Sequence, residues 1–103
     1  MSDNKPRKTL RSEVLEFATI MEKKLAEHDD RPGWKHCTPE WLLDRLLEEV
    51  MELRWSVLGN GEDDIPREAA DVANFAMMLA DVCGGLPESA RTRALIEIGG
   101  EDE

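Results

Sequence analysis

Basic residues are scarce: 13 Lys and Arg stand against 23 Asp and Glu in 103 residues, a formal net charge of −10. Phosphate backbones are gripped by clustered Lys and Arg, so this balance excludes a general DNA- or RNA-binding role. It does not exclude a small phosphorylated ligand, because a divalent cation inverts local charge. No run of about 18 apolar residues occurs, which excludes an ordinary membrane-spanning helix. The N-terminal MSDNKPRKTLR lacks an apolar core of signal-peptide type, so a cytoplasmic protein is expected. Cys37 and Cys83 are the two cysteines, and their spacing matches neither a CxxC nor a zinc pattern. Reduced thiols without a catalytic role are expected. Tyr is absent and Phe occurs twice, which leaves Trp34, Trp41 and Trp55 to supply most of the aromatic surface.

What remains is 41% hydrophobic and 35% charged, a globular composition of single-domain length. A lone domain of this size buries roughly two thirds of its unfolded surface, so self-association would add to a small core. Residues 1–8 read as a basic arm, 9–98 as one helical domain and 99–103 as an acidic tail. Val14, Phe17, Ala18, Met21 and Leu25 recur at helical spacing and predict a helix from about Thr9 to Glu27. The breaker cluster His28 to Gly33 ends it. Thr38-Pro39 is an N-cap followed by a proline suited to the first helical position, predicting a second helix to about Leu58. Its expected core stripe is Leu43, Leu46, Val50, Leu53 and Val57. Asp64 caps a third helix to about Val82, in which Ala69, Ala73, Ala76 and Ala80 form a small-residue stripe. A fourth helix is expected from Pro87 to Ile98. The class is all-α: a compact four-helix module whose short connections make neighbours antiparallel.

The second helix carries Glu48, Glu49 and Glu52, which share one arc at ~100° per residue. The third carries Glu68 and Asp71 at i,i+3. An antiparallel hairpin brings the two acidic faces together. Converging carboxylates on a half-buried surface is unfavourable unless some protonate or a cation neutralises them. Mg²⁺ suits an all-oxygen set and keeps waters for a phosphate ligand. A di-iron carboxylate bundle needs Glu-x-x-His pairs, and neither His28 nor His36 has a Glu three residues before it. The competing interpretation is a solvated acidic face paired with Arg45 and Arg54.

Glu48-Glu49-Val50-Met51-Glu52, fifteen residues, then Glu68-Ala69-Ala70-Asp71, resembles the EExxE…ExxD signature of MazG-type all-α nucleoside triphosphate pyrophosphohydrolases. The loop Trp34 to Pro39, the Trp41-Leu42-Leu43 helix start and the run Asp71 to Met78 are similar to that family as well. The resemblance covers roughly Phe17 to Gly84. It implies Mg²⁺-dependent hydrolysis, with Mn²⁺ able to substitute, of a (d)NTP to the monophosphate and pyrophosphate, with a purine such as dGTP among the candidates. By motif position it implies Glu49, Glu52, Glu68 and Asp71 as metal ligands. Glu48 is implied for a second metal or for the attacking water, and Glu49 is counted with it as catalytic. It also implies a homodimer or dimer of dimers with the pocket at the interface.

Beside these, Trp34, Trp55, Phe75 and Asn74 are candidates for base or sugar contact, and Lys35 and Arg67 for phosphate, with Arg31, Lys23 and Lys24 in reserve. Each has a plainer role open to it, in the core or on the surface. Two other classes stay open: a non-catalytic helical interaction module whose Trp residues are anchors, and a nucleotide-binding sensor that hydrolyses slowly.

Overall fold

Capping chemistry places the helices. Thr38 Oγ accepts from the Trp41 amide at 3.1 Å and Asp64 accepts from the Arg67 amide at 3.4 Å, each followed by proline in the first turn. The computed structural model describes residues 9–59 and 64–86. Among them it contains α1 (Ser12–Ala26), α2 (Pro39–Val57) and α3 (Ile65–Val82), and no strand. The chain is thus all-helical in its described part. The expected fourth helix, the basic arm and the acidic tail lie outside the described residues.

The start of α1 falls three residues later than its periodicity suggested, at Ser12, and its N-cap residue Arg11 makes no side-chain hydrogen bond there. The end of α3 is closed by a Schellman motif. The Gly85 amide donates to the Ala80 carbonyl at 2.8 Å and the Gly84 amide to the Asp81 carbonyl at 2.9 Å. Gly84 takes φ +82° there, which a side chain rarely tolerates.

The middle helix is α3: it packs on both α1 and α2, while α1 and α2 do not pack on each other. Both pairings are antiparallel. Arg45 lies over Phe75 and Glu49 beside Asp71, whereas Lys24 reaches Asp71 and Glu27 reaches Arg67. A cleft therefore opens between α1 and α2 with α3 as its floor. Asn74, 4% exposed, ties floor to wall by donating from Nδ2 to the Met21 carbonyl at 3.1 Å.

The core is rotated from the expected stripes. Leu42 and Ala70 are fully buried, and Ser56 and Asn74 nearly so. Leu43, Val50 and Val57 are exposed instead, because α2 has one described neighbour and only a narrow arc meets it. That arc runs through Leu42, Leu46, Glu49, Leu53 and Ser56, with Leu43 and Val50 ~80–100° away from Leu42. In α3, Ala76 and Ala80 are exposed and Ala69 and Ala73 half-buried. The contact with the flanking helices runs through Ala70 and Asn74 rather than along the alanine stripe. On α1, Phe17, Met21 and Leu25 are half-buried as expected, while Val14 and Ala18 are exposed.

Replacing Thr38 with Ala deletes the acceptor for the Trp41 amide. Urea unfolding is expected to show a loss of about 1 kcal/mol, with helical content at zero denaturant retained.

Candidate functional site

Position along the helices fills the cleft. On α2, Trp41, Arg45 and Glu49 follow at four-residue spacing and present one face. On α3, Asp71, Asn74, Phe75 and Met78 do the same, and Lys24, Leu25, His28 and Arg31 close the opposite wall. This polar cleft has a volume of about 440 Å³. A mainly apolar recess of about 250 Å³ continues from it, sharing Leu25, His28, Arg31, Trp41, Phe75 and Met78 and adding Asp29, Pro32, Gly33, Trp34, Cys37 and Leu42. The pair forms one groove, apolar at one end and charged at the other.

At the charged end, Glu49, Glu68 and Asp71 each offer a carboxylate oxygen, and these oxygens lie within 4.8 Å of one another. Burial pushes the Glu49 carboxyl above the ordinary carboxylate range. The charge of Asp71 pushes the same way, and the Arg45 guanidinium opposes both. Arg45 bonds Glu49 at 3.1 Å, pairs with Glu48 through its other nitrogen and stacks on the Phe75 ring at 4.9 Å. Lys24 sits 3.5 Å from both Asp71 and Glu27. An all-carboxylate donor set suits a hard divalent cation. Glu49, Glu68 and Asp71 would be the residues to hold such an ion. The Oδ1 of Asn74, one turn beyond Asp71, is buried without a hydrogen-bond partner among the described residues. An acceptor left open in this way suits a donor arriving from outside the chain.

The expected five carboxylates divide into two groups that meet at Glu68. Glu48 and Glu52 share a separate shallow hollow with Glu68, Met51, Trp55 and Ser56. The two groups adjoin, so the acids are neither scattered nor fully converged. Trp55, 61% exposed, belongs to that second hollow and not to the groove. Trp34 and Phe75 line the groove as expected, and Asn74 lies in its polar half.

The two expected phosphate cations, Lys35 and Arg67, do not line the polar cleft. Lys35 Nζ and Trp34 Nε1 both donate to Asp81 Oδ2, at 2.5 and 2.9 Å, near the far end of α3. Arg67 turns to Glu27 at 2.5 Å, because its i,i+4 relation to Asp71 is outcompeted by a carboxylate on the facing helix. The cations that line the cleft are Lys24, Arg31 and Arg45. Lys24 and Arg31 had been reserves. Arg45 was foreseen as a partner of the acids but not as part of a cleft, and Trp41 and His28 were not foreseen as lining it. The four-residue spacing of Trp41, Arg45 and Glu49 was a usable signal. His28 and Arg31 sit in a turn that carries no periodicity.

The described residues form an all-helical fold with a carboxylate-lined cleft, and no described helix is long and apolar enough to cross a membrane. The chain belongs to the same family as an uncharacterized protein of Archaeoglobus fulgidus, with 38% identity over 68 residues that cover 61% of this chain and 73% of that protein. No family model matches the chain. No solved structure matches it either.

Asp81 holds the Trp34 side of the recess, and its two donors keep its carboxyl below the ordinary value of 3.8. A lowered folded-state pKa contributes stability that is present above the unfolded value and lost as pH falls through the folded one. Asp81→Asn is therefore expected to lower Tm at pH 6–7. The gap between variant and wild type should close as the pH is taken below ~3.8, read by thermal melts at stepped pH.

Proposed function

We propose that this chain is a Mg²⁺-dependent nucleoside triphosphate pyrophosphohydrolase of MazG type, as its EExxE…ExxD pattern suggests. The observation that carries the reading is the carboxylate trio Glu49, Glu68 and Asp71 at the charged end of a groove whose other end is lined by Trp34, Trp41 and Phe75. Small-molecule sites commonly pair an apolar body with a few convergent polar groups.

In this reading Glu49, Glu68 and Asp71 hold the ion, and Glu52 joins through the hollow that shares Glu68. Bound Mg²⁺, or Mn²⁺ in its place, supplies charge neutralisation, polarises the phosphoryl oxygens and lowers the pKa of water. Lys24, Arg31 and Arg45 line the phosphate path, the role first expected of Lys35 and Arg67. The base enters the apolar recess against Trp34, Trp41 and Phe75, and Asn74 Oδ1 accepts from the sugar or base. A water oxygen bonds the α-phosphorus as the bridge to the β-phosphate breaks. Its proton passes to Glu48 and the electron pair leaves with pyrophosphate. No covalent enzyme intermediate is needed, so neither cysteine has work to do.

The arrangement also supports a homodimer or dimer of dimers, completing a four-helix MazG module. On α2, Leu43, Leu47, Val50 and Met51, with Leu58 at its C-cap, form an apolar arc that is 39–60% exposed. Contiguous apolar surface of this kind marks an interaction site. The placement in the cytoplasm remains part of this proposal, as does a role in trimming nucleotide pools.

Mg²⁺ at ~100 times its Kd is expected to stabilise the protein by about 2.7 kcal/mol, read as a rise in Tm. An interaction module with a merely acidic surface would show little shift. Pyrophosphate release from a panel of NTPs and dNTPs separates an enzyme from a sensor and names the base. Glu49→Gln and Asp71→Asn should abolish turnover while leaving the helical circular dichroism intact; full activity in both sinks the assignment. Sedimentation should give at least a dimer of the 11.7 kDa chain, reduced to monomer by Leu47→Glu.

A further inference from the structure

Arg45 and Lys24 reach the carboxylate trio from opposite walls of the cleft. Arg45 holds Glu49 at 3.1 Å and Lys24 stands 3.5 Å from Asp71. Two like-charged groups in a part-buried cleft need such counter-charge. A divalent ion supplies the same counter-charge to the same oxygens, so the resident cations and the ion compete for one set of lone pairs. Both side chains line the cleft themselves, so releasing the carboxylates leaves the guanidinium and the ammonium inside it without any change of backbone. Arg45 keeps a further anchor, the Phe75 ring, which holds its plane at the cleft when Glu49 is withdrawn. Asn74 Oδ1 is a separate observation, an acceptor with unmet hydrogen-bonding capacity. It belongs to a side chain only 4% exposed, lines the same cleft and has no partner among the described residues.

We propose that Arg45 and Lys24 are exchangeable counter-ions: they hold Glu49 and Asp71 until a divalent cation takes those carboxylates, and then turn to the phosphates of the ligand. The proposal rests on the reading of the trio as a metal site. It makes the two cations positioning residues that couple the affinities of metal and phosphate. Linkage makes the coupling reciprocal, so a bound phosphate chain raises metal affinity by the factor by which metal raises its own.

The test uses Mn²⁺ alone and then pyrophosphate at saturating Mg²⁺, each titrated calorimetrically against the full chain. Arg45→Gln and Lys24→Gln should bind Mn²⁺ alone about two- to fivefold tighter than wild type, because each removes a part-buried cation that competes with the metal for the same oxygens. The same variants should bind pyrophosphate with Mg²⁺ about tenfold weaker, the scale of one charge-assisted hydrogen bond. Lys35→Gln, which removes a cation held at Asp81, should change neither. A variant with a purely structural pair would lose Tm without tightening Mn²⁺. Unchanged or weaker Mn²⁺ binding in both folded variants overturns the exchange. If Arg45→Gln loses its helical signal, Lys24→Gln alone decides. Wild type that binds Mn²⁺ no better than Glu49→Gln would instead overturn the metal site itself, a failure distinguishable from this one.

Discussion

Like charges half-buried at close quarters do not persist without a cation, and the described part of this molecule is organised around that constraint. Glu49 comes from α2 and Asp71 from α3, which pack along each other, and burial raises the cost of ionising Glu49. Arg45 and Lys24 offset it from either side. Neither cation belongs to the α3 floor. The cleft can therefore exist only if α1 and α2 flank the same helix without touching each other.

That arrangement gives the groove its two ends. Toward the C-terminus of α3, the loop after α1 is pinned by Trp34 and Lys35 on Asp81, which keeps the indole in the lining of the recess with Leu42 and Met78. Toward its N-terminus lie the acids. The change from apolar to charged follows the antiparallel register, in which each step along α2 toward Glu49 is matched by a step back along α3 toward Glu68. A nucleotide is apolar at its base and anionic at its phosphates. The groove has the corresponding polarity only if a divalent ion reverses the sign at its acidic end, which is why the functional proposal and the metal are inseparable.

The outer arc of α2 is the other unusual surface. Residues first assigned to the core, such as Leu43 and Val50, face outward because α2 leans on one described neighbour and not two. The hydrophobic count along the helix was sound; the direction of burial was not. Periodicity marks that a helix has an apolar side but does not say what lies against it. The wide apolar sector of α2 offers two candidate faces, and the smaller one, holding Leu42, Glu49 and Ser56, is the one α3 covers.

Local chemistry alone determined the helices. Thr38-Pro39, Asp64 with Pro66, and Gly84 mark ends through backbone rules that act within a turn, and the structure places them there. The spacing of Glu68 and Asp71 likewise put them on one face. Tertiary structure decided which acid joins them. Glu49 enters the trio while Glu48 and Glu52 border a second hollow, since Glu48 is turned ~100° and Glu52 ~60° from Glu49 about the helix axis, to the same side. It also decided the cations. Lys35 and Arg67 are close to the motif along the chain but have carboxylates nearer in space, whereas Lys24 and Arg45 gain their place from helix packing, which pairs residues distant in sequence.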